Sequence, residues 1–197
     1  NDITKVVEPV FQTNKGSVYY INLSQDTYKL GGSSFSQILN KIGNDTPTIT
    51  NNSFFKTTFN IIQDLIKSNK IVAGHDVASG GLITTLLELC FADINIGANI
   101  DVSSLKESDS IKLLFSENSG IVFQSVDDSI ESILSKNDIE FFKIGSVTES
   151  DRLNIKNGSE EFALSISELR DTWYKTSYLL DNKQTANGLA KDRFDNY

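Results

Sequence analysis

The chain has 197 residues, of which 39% are hydrophobic and 22% are charged, and its formal net charge is −8. This composition is typical of a folded globular protein and excludes a disordered chain. The acidic balance argues against a general nucleic-acid-binding protein, which would carry a basic patch.

The sequence predicts neither disulfide bonds nor a membrane-spanning helix. The single cysteine, Cys90, lies in an apolar helical stretch, so we expect a buried thiol, a reducing compartment and no disulfide. The most apolar region, 80–100, is interrupted by Glu88 and Asp93, whereas a membrane-spanning helix needs about 20 apolar residues. The polar N-terminus shows no signal peptide. It also lacks methionine, which suggests a trimmed product or an excised piece of a longer chain.

Hydrophobic periodicity predicts strands and helices along the whole chain. In chain order these are strand 17–23, helix 35–42, helix 54–66, strand 70–73, helix 82–92, strand 94–102, helix 111–115, strand 121–126, helix 130–134, strands 141–147, 153–156 and 161–164, and helix 169–179. We expect the helix caps to be Ser33 or Ser34, Ser53, Asp127 or Asp128, and Ser165 or Ser167. The pattern predicts an α+β domain with one mixed sheet and helices on its faces. Beyond Leu180 the polar sequence predicts an extended tail or linker.

The most informative stretch is His75-Asp76-Val77-Ala78-Ser79-Gly80-Gly81-Leu82, between a predicted strand and a predicted helix. A helix N-terminus favours anions, and glycines let a phosphate approach the backbone. An aspartate there can hold the Mg²⁺ that accompanies a nucleotide phosphate. The alternative is a plain strand-to-helix turn in which Asp76 caps the helix and His75 is a partly buried imidazole.

Three other features each allow two interpretations. The turn Leu30-Gly31-Gly32-Ser33-Ser34 is either a serine-capped loop or a backbone surface that approaches a phosphate or a neighbouring domain. The turn Glu117-Asn118-Ser119-Gly120 is either a capped turn or a source of metal or substrate ligands. The aromatic residues around Trp173 favour core and interface over base stacking. With His75 as the only histidine, neither a nucleophilic triad nor a zinc site is supported, and no catalytic residue is predicted.

The order of these motifs resembles the C-terminal domain of the aminoimidazole ribonucleotide synthetase superfamily. The resemblance rests on the stretches 30–38, 73–82, 86–92 and 115–120. The closing runs 173–181 and 193–197 are similar to the large, single-chain phosphoribosylformylglycinamidine synthases, in the second of their two synthetase-like copies. This resemblance implies a three-layer, loosely ferredoxin-like domain over 1–180. It also implies that the tail 181–197 leads towards a glutaminase domain.

The same resemblance implies a function in purine biosynthesis. The whole enzyme would be a cytoplasmic ligase that uses ATP and glutamine to convert formylglycinamide ribonucleotide to its amidine. Asp76 would bind Mg²⁺, and Ala78, Ser79, Gly80 and Gly81 would contact ATP or ADP at a structural rather than a reactive site. The family usually has a serine where this chain has Ala78, so only backbone contact would remain there.

The implied partners are the synthetase and glutaminase domains of the same polypeptide and a nucleotide, with no nucleic acid and no membrane. The chain alone is then expected to be inactive. The alternative is a stand-alone, non-catalytic binding or scaffold module of the same fold.

Overall fold

The computed structural model describes residues 4–196, and these residues form one seven-stranded sheet. Its strands are β1 (Val18–Asn22), β2 (Ile71–Val77), β3 (Gly97–Asp101), β4 (Gly120–Ser125), β5 (Phe142–Thr148), β6 (Arg152–Asn157) and β7 (Glu160–Ser165). The order across the sheet is β2-β4-β1-β5-β3-β6-β7, and every neighbouring pair is antiparallel except β3 with β6. The predicted mixed sheet and α+β class are confirmed.

Helices cover both faces of this sheet. They are α1 (Ser34–Ile38), α2 (Asn52–Lys67), α3 (Gly81–Phe91), α4 (Ser110–Phe115), α5 (Ile130–Lys136), α6 (Ile166–Gln184) and α7 (Leu189–Asp195), with a short 3-10 turn at Ser103–Leu105. Tyr20 belongs to the core shared with α3, α4 and α6, whereas Tyr19 belongs to the core shared with α2 and α5. Adjacent strand residues point to opposite faces, so β1 contributes to both cores and the domain has three layers.

The strand before the glycine turn is longer than predicted. His75 and Asp76 lie within β2, which pairs with β4 up to Val77 opposite Gly120. The interpretation of Asp76 as a helix cap is therefore wrong, because a cap must directly precede the helix. Pairing with a neighbouring strand extended β2 beyond its apolar run.

The helix caps in the structure agree with the predicted caps at two helices and differ at two others. Ser33 and Ser165 cap α1 and α6, as predicted. Helix α2 is capped by Asn51 and not by Ser53, since the Asn51 side chain accepts the N–H of Phe54 at 3.0 Å. Helix α5 begins after Ser129 and not after Asp127 or Asp128. Helix α1 stops at Ile38 because the chain turns back and the carbonyl of Ile42 accepts the N–H of Gly32 at 2.8 Å.

The C-terminal segment is helical, so the predicted extended tail is wrong for the described residues. Helix α6 continues past Leu180 to Gln184, and α7 packs against it. The rings of Tyr178 and Phe194 lie 4.8 Å apart, and Arg193 Nε donates to Asp181 at 2.8 Å. A domain boundary at residue 180 and a following glutaminase domain stay predictions. Tyr197 and residues 1–3, on which the tail and signal-peptide predictions partly depend, lie outside the described residues.

Two further expectations concern buried and exposed side chains. Cys90 is 1% exposed, and burial raises the pKa of its thiol to about 12, so the buried structural thiol is confirmed. Trp173 contacts the ring of Phe91 at a centroid distance of 6.1 Å but is 51% exposed, so it is not a core residue. In the part of the chain that the structure describes, no helix is long and apolar enough to cross a membrane.

An ion-pair cluster beside α5 makes stability depend on pH. Lys143 Nζ lies 2.5 Å from a carboxylate oxygen of Asp128, and Tyr19 Oη donates to the other oxygen at 2.9 Å. These hydrogen bonds, chiefly that from Lys143, lower the pKa of Asp128 to about 2. An unfolded aspartate has a pKa of about 3.9. The stabilisation is therefore fully present above about pH 4 and is lost as the pH falls towards 2.

We expect Asp128→Asn to lose part of this pH dependence. Its Tm should fall less than that of the wild type between about pH 5 and pH 2, and the difference should be small because Asp128 is half-exposed. Asp138→Asn is the matched control, because Asp138 is exposed and its side chain makes no hydrogen bond within residues 4–196. Parallel Tm profiles for the wild type and Asp128→Asn would contradict the assignment.

Candidate functional site

The turns that the sequence singled out converge at one end of the sheet. Strands β1 and β2 both run antiparallel to β4, which lies between them. The start of β4 therefore lies at the same end of the sheet as the ends of β1 and β2. The segment 23–34 follows β1, the turn 78–80 follows β2, and the turn 116–119 precedes β4. Strand pairing thus brings together three turns that lie far apart in the sequence.

The turn after β2 needs both of its glycines. Gly80 and Gly81 have φ angles of +89° and +77°, in the left-handed region that favours glycine. A Cβ atom on Gly81 would lie 2.7 Å from the carbonyl oxygen of Leu114, so the glycine lets α3 start directly against the end of α4. Ala78 and Ser79 are exposed, and no side chain among the described residues caps α3. The turn before this helix is therefore exposed to solvent, whereas Gly81 and Leu82, the first residues of the helix, are buried.

Glu117 joins this turn to the first glycine turn. Its Oε1 accepts the N–H of Gly80 at 2.8 Å and the N–H of Ser34 at 2.8 Å. Ser34 is the first residue of α1, directly after the turn around Gly31. Hydrogen bonds from backbone N–H groups to a carboxylate are roughly twice as strong as neutral ones. Sequence reasoning missed this role, because bonds between residues 37 and 83 positions apart leave no local pattern.

Asn118 performs a similar role for the segment after β1. The residue is 1% exposed, and its Nδ2 donates to the hydroxyl of Ser24 and to the carbonyl of Thr27, both at 3.0 Å. Its Oδ1 accepts the N–H of Lys29 at 3.4 Å. These contacts support neither of the two sequence interpretations: the two side chains of the Glu117-Asn118 pair bind neighbouring segments of the chain.

His75 and Asp76 occupy different environments at the end of β2. The ring of His75 is mostly buried, with Nε2 3.4 Å from Glu88 Oε2 on α3 and Nδ1 2.7 Å from the carbonyl oxygen of Asp76. Partial burial raises the pKa of the Glu88 carboxyl, against the opposing effect of His75. His75 is thus the partly buried imidazole of the plain interpretation.

The side chain of Asp76 is 79% exposed and lies at the end of the sheet where the three turns meet. Exposed carboxylate oxygen is the kind of ligand that Mg²⁺ prefers. Within residues 4–196, however, no group of three or more His, Cys, Asp or Glu side chains could hold a metal ion. At most one other such side chain within residues 4–196 would therefore join Asp76 around a metal ion.

Comparison with known proteins gives consistent matches. The family model described as AIR synthase related protein, C-terminal domain, matches residues 21–157. The probable phosphoribosylformylglycinamidine synthase, chloroplastic/mitochondrial, of Arabidopsis thaliana is 35% identical over 189 residues, which are 93% of this chain. The chain spans only 13% of the length of that plant relative.

Two solved structures of PurL from Thermotoga maritima share the fold. The complex with FGAR has a TM-score of 0.64 at 14% identity and covers 85% of this chain and 30% of that chain. The complex with ATP has a TM-score of 0.62 at 15% identity and covers 85% of this chain and 28% of that chain.

Proposed function

Since the chain belongs to the family of AIR synthase related proteins and matches their C-terminal domain, we propose that it acts as part of a phosphoribosylformylglycinamidine synthase. The 35% identity to the plant synthase over 93% of the chain supports this proposal. The complete enzyme would be a carbon–nitrogen ligase that uses ATP and glutamine to convert formylglycinamide ribonucleotide to its amidine. We assign no catalytic residue to this chain and expect no activity from it alone.

Within that enzyme, the chain would contribute to a nucleotide site at the turn after β2. The observation that carries this proposal is the exposed turn 78–80 leading into α3, a helix without a side-chain cap. Such a helix start favours a phosphate, and the accessible backbone is that of the exposed Ala78 and Ser79, since the N–H of Gly80 is bonded to Glu117. Ala78 and Ser79 would border the nucleotide, with Ala78 offering backbone only. PurL of Thermotoga maritima is described in complexes with ATP and with ADP.

Mg²⁺ would accompany the nucleotide, with Asp76 as its ligand from this chain. The exposed carboxylate suits the ion chemically, but Mg²⁺ requires octahedral oxygen coordination and usually keeps several waters. The other ligands would therefore be phosphate oxygens, water and side chains from another part of the polypeptide. Because the closing runs 173–181 and 193–197 resemble the second synthetase-like copy of these synthases, we propose that the nucleotide has a structural role.

The proposed partners are the synthetase and glutaminase domains of the same polypeptide. Exposed apolar side chains beside the first glycine turn support packing against another domain: Ile38, Leu39 and Ile42. We propose a cytoplasmic location, whereas the plant relative is named chloroplastic/mitochondrial. The second candidate stays a non-catalytic scaffold module of the same fold.

Asp76→Asn in the complete polypeptide tests the nucleotide proposal. The substitution removes the charge of a Mg²⁺ ligand at nearly constant volume, so we expect at least about ten-fold weaker nucleotide retention. Ligand binding stabilises by mass action, and each ten-fold loss of affinity under saturating ligand lowers stability by about 1.4 kcal/mol. The measurements are nucleotide content after gel filtration, Tm, and turnover.

Asp64→Asn serves as the control for this experiment, since Asp64 is exposed near the C-terminal end of α2, which leads to the start of β2 and so lies at the opposite end of the sheet from the three turns. If Asp76→Asn keeps its nucleotide and its Tm, Asp76 is not a metal ligand. If turnover collapses while nucleotide and Tm are unchanged, the structural role is wrong and the site is reactive.

A further inference from the structure

We propose that Glu117 is the positioning residue of this site: its carboxylate sets the place of the turn 78–81 relative to α1. The proposal concerns the protein's own geometry, and only its consequence for nucleotide binding depends on the proposed function. It differs from the sequence-based alternative, in which Glu117 would itself bind metal or substrate.

The geometry of the carboxylate supports this role. A single oxygen, Oε1, accepts both N–H groups at 2.8 Å, one from Gly80 and one from Ser34. Both donors lie at glycine-containing turns, which have unusually large backbone freedom when nothing holds them. Helix α1 has only five residues and adds little rigidity of its own. The shared acceptor therefore joins the two turns directly by hydrogen bonds, beside the ring contact of Phe35 in α1 with Phe115 at 4.9 Å.

Glu117 also determines which backbone donors remain for a ligand. The N–H of Gly80 is already bonded, so it is not available to a phosphate. The negative charge of the carboxylate disfavours a second anion on the same side of Gly80. A phosphate at this turn would therefore contact N–H groups other than that of Gly80, from the exposed side that carries Ala78 and Ser79.

Substitution by glutamine separates positioning from metal binding. Glu117→Gln keeps an oxygen that can accept both N–H groups and removes the charge. Glu117→Ala removes the acceptor itself. A positioning residue predicts a large defect in the alanine variant and little defect in the glutamine variant, whereas a charged ligand to a metal predicts a large defect in both.

The test uses the complete polypeptide and two measurements. The first is hydrogen–deuterium exchange of peptides covering 30–38 and 78–84, without any ligand. The second is titration with Mg-ATP. Glu149→Gln is the matched control, because Glu149 is exposed in the turn between β5 and β6 and makes no hydrogen bond within residues 4–196.

We expect Glu117→Ala to exchange at least ten-fold faster in both peptides, with β3, β6 and β7 unchanged. Glu117→Gln and Glu149→Gln should stay within about three-fold of the wild type. Mg-ATP affinity should fall at least ten-fold for the alanine variant and be equal or higher for the glutamine variant, which lacks the repelling charge.

Each outcome decides a different question. Unchanged exchange in Glu117→Ala, or an increase spread evenly over the domain, overturns the positioning role whatever the nucleotide result. Equal loss of Mg-ATP affinity in the glutamine and alanine variants overturns it in favour of a charged ligand. If the exchange result holds but no variant or wild type binds Mg-ATP, the positioning role stands and the proposed nucleotide function fails. If Glu117→Ala does not fold, the exchange of the glutamine variant decides: faster exchange in its two peptides overturns the role.

Discussion

Gly81→Ala is expected to lower the free energy of unfolding by about 2–5 kcal/mol. The added Cβ atom would lie 2.7 Å from the carbonyl oxygen of Leu114 and 2.8 Å from that of Ser116, and both are backbone atoms. The φ angle of +77° adds strain of about 1–2 kcal/mol for any L side chain. Overpacking against rigid neighbours costs roughly 1–3 kcal/mol more. Urea denaturation followed by circular dichroism measures the change.

Gly158→Ala separates the two contributions. Gly158 also has a positive φ, +59°, but a Cβ atom there would meet nothing within 4 Å. We therefore expect a loss of only about 1–2 kcal/mol, from backbone strain alone. Equal losses in the two variants would show that α3 does not start in close contact with the end of α4.

Asn118→Ala is expected to cost about 2–4 kcal/mol and to loosen the segment after β1. The substitution removes the donors to Ser24 and Thr27 and the acceptor for Lys29. Each lost hydrogen bond is worth about 1 kcal/mol, and a buried group left without a partner costs about 1–3 kcal/mol. Hydrogen exchange should quicken in peptides covering 22–30, and urea denaturation should show the lost stability.

Asn60→Ala is the control for that experiment. Asn60 is exposed on α2, and its side chain makes no hydrogen bond within residues 4–196. Its replacement should change stability by less than about 0.5 kcal/mol. A similar small change for Asn118→Ala would mean that the segment after β1 holds its place without Asn118.

Elements with strong local signals could be predicted from the sequence. The runs of apolar residues in β1, β4 and β5 predicted strands that the structure contains. The serine caps of α1 and α6 were found because a side-chain hydroxyl three residues before its donor is a local contact. The helical structure beyond Leu180 was missed, because α7 is held by contacts with α6, such as the bond from Arg193 to Asp181, which leave no local pattern in the sequence.

Only part of the candidate site could be predicted from the sequence. The glycines at 80 and 81 and the exposed Asp76 could be singled out, because residue type alone suggests a close backbone approach or a cation ligand. The role of Glu117 as an acceptor for two distant turns could not be predicted from the sequence. Nothing in the residues around it indicates that its acceptor would meet donors 37 and 83 positions away.

The sequence by itself thus determined the type of most elements, the α+β class, the glycine turn before α3 and the family. These depend on short-range periodicity, capping and backbone freedom, which neighbouring residues set. Only the tertiary structure decided that β2 extends through Asp76 and that the three turns meet. The physical reason is that β4 pairs with both β1 and β2. Hydrogen bonds between these strands join residues that are far apart in the sequence, and no local sequence pattern indicates such a pairing.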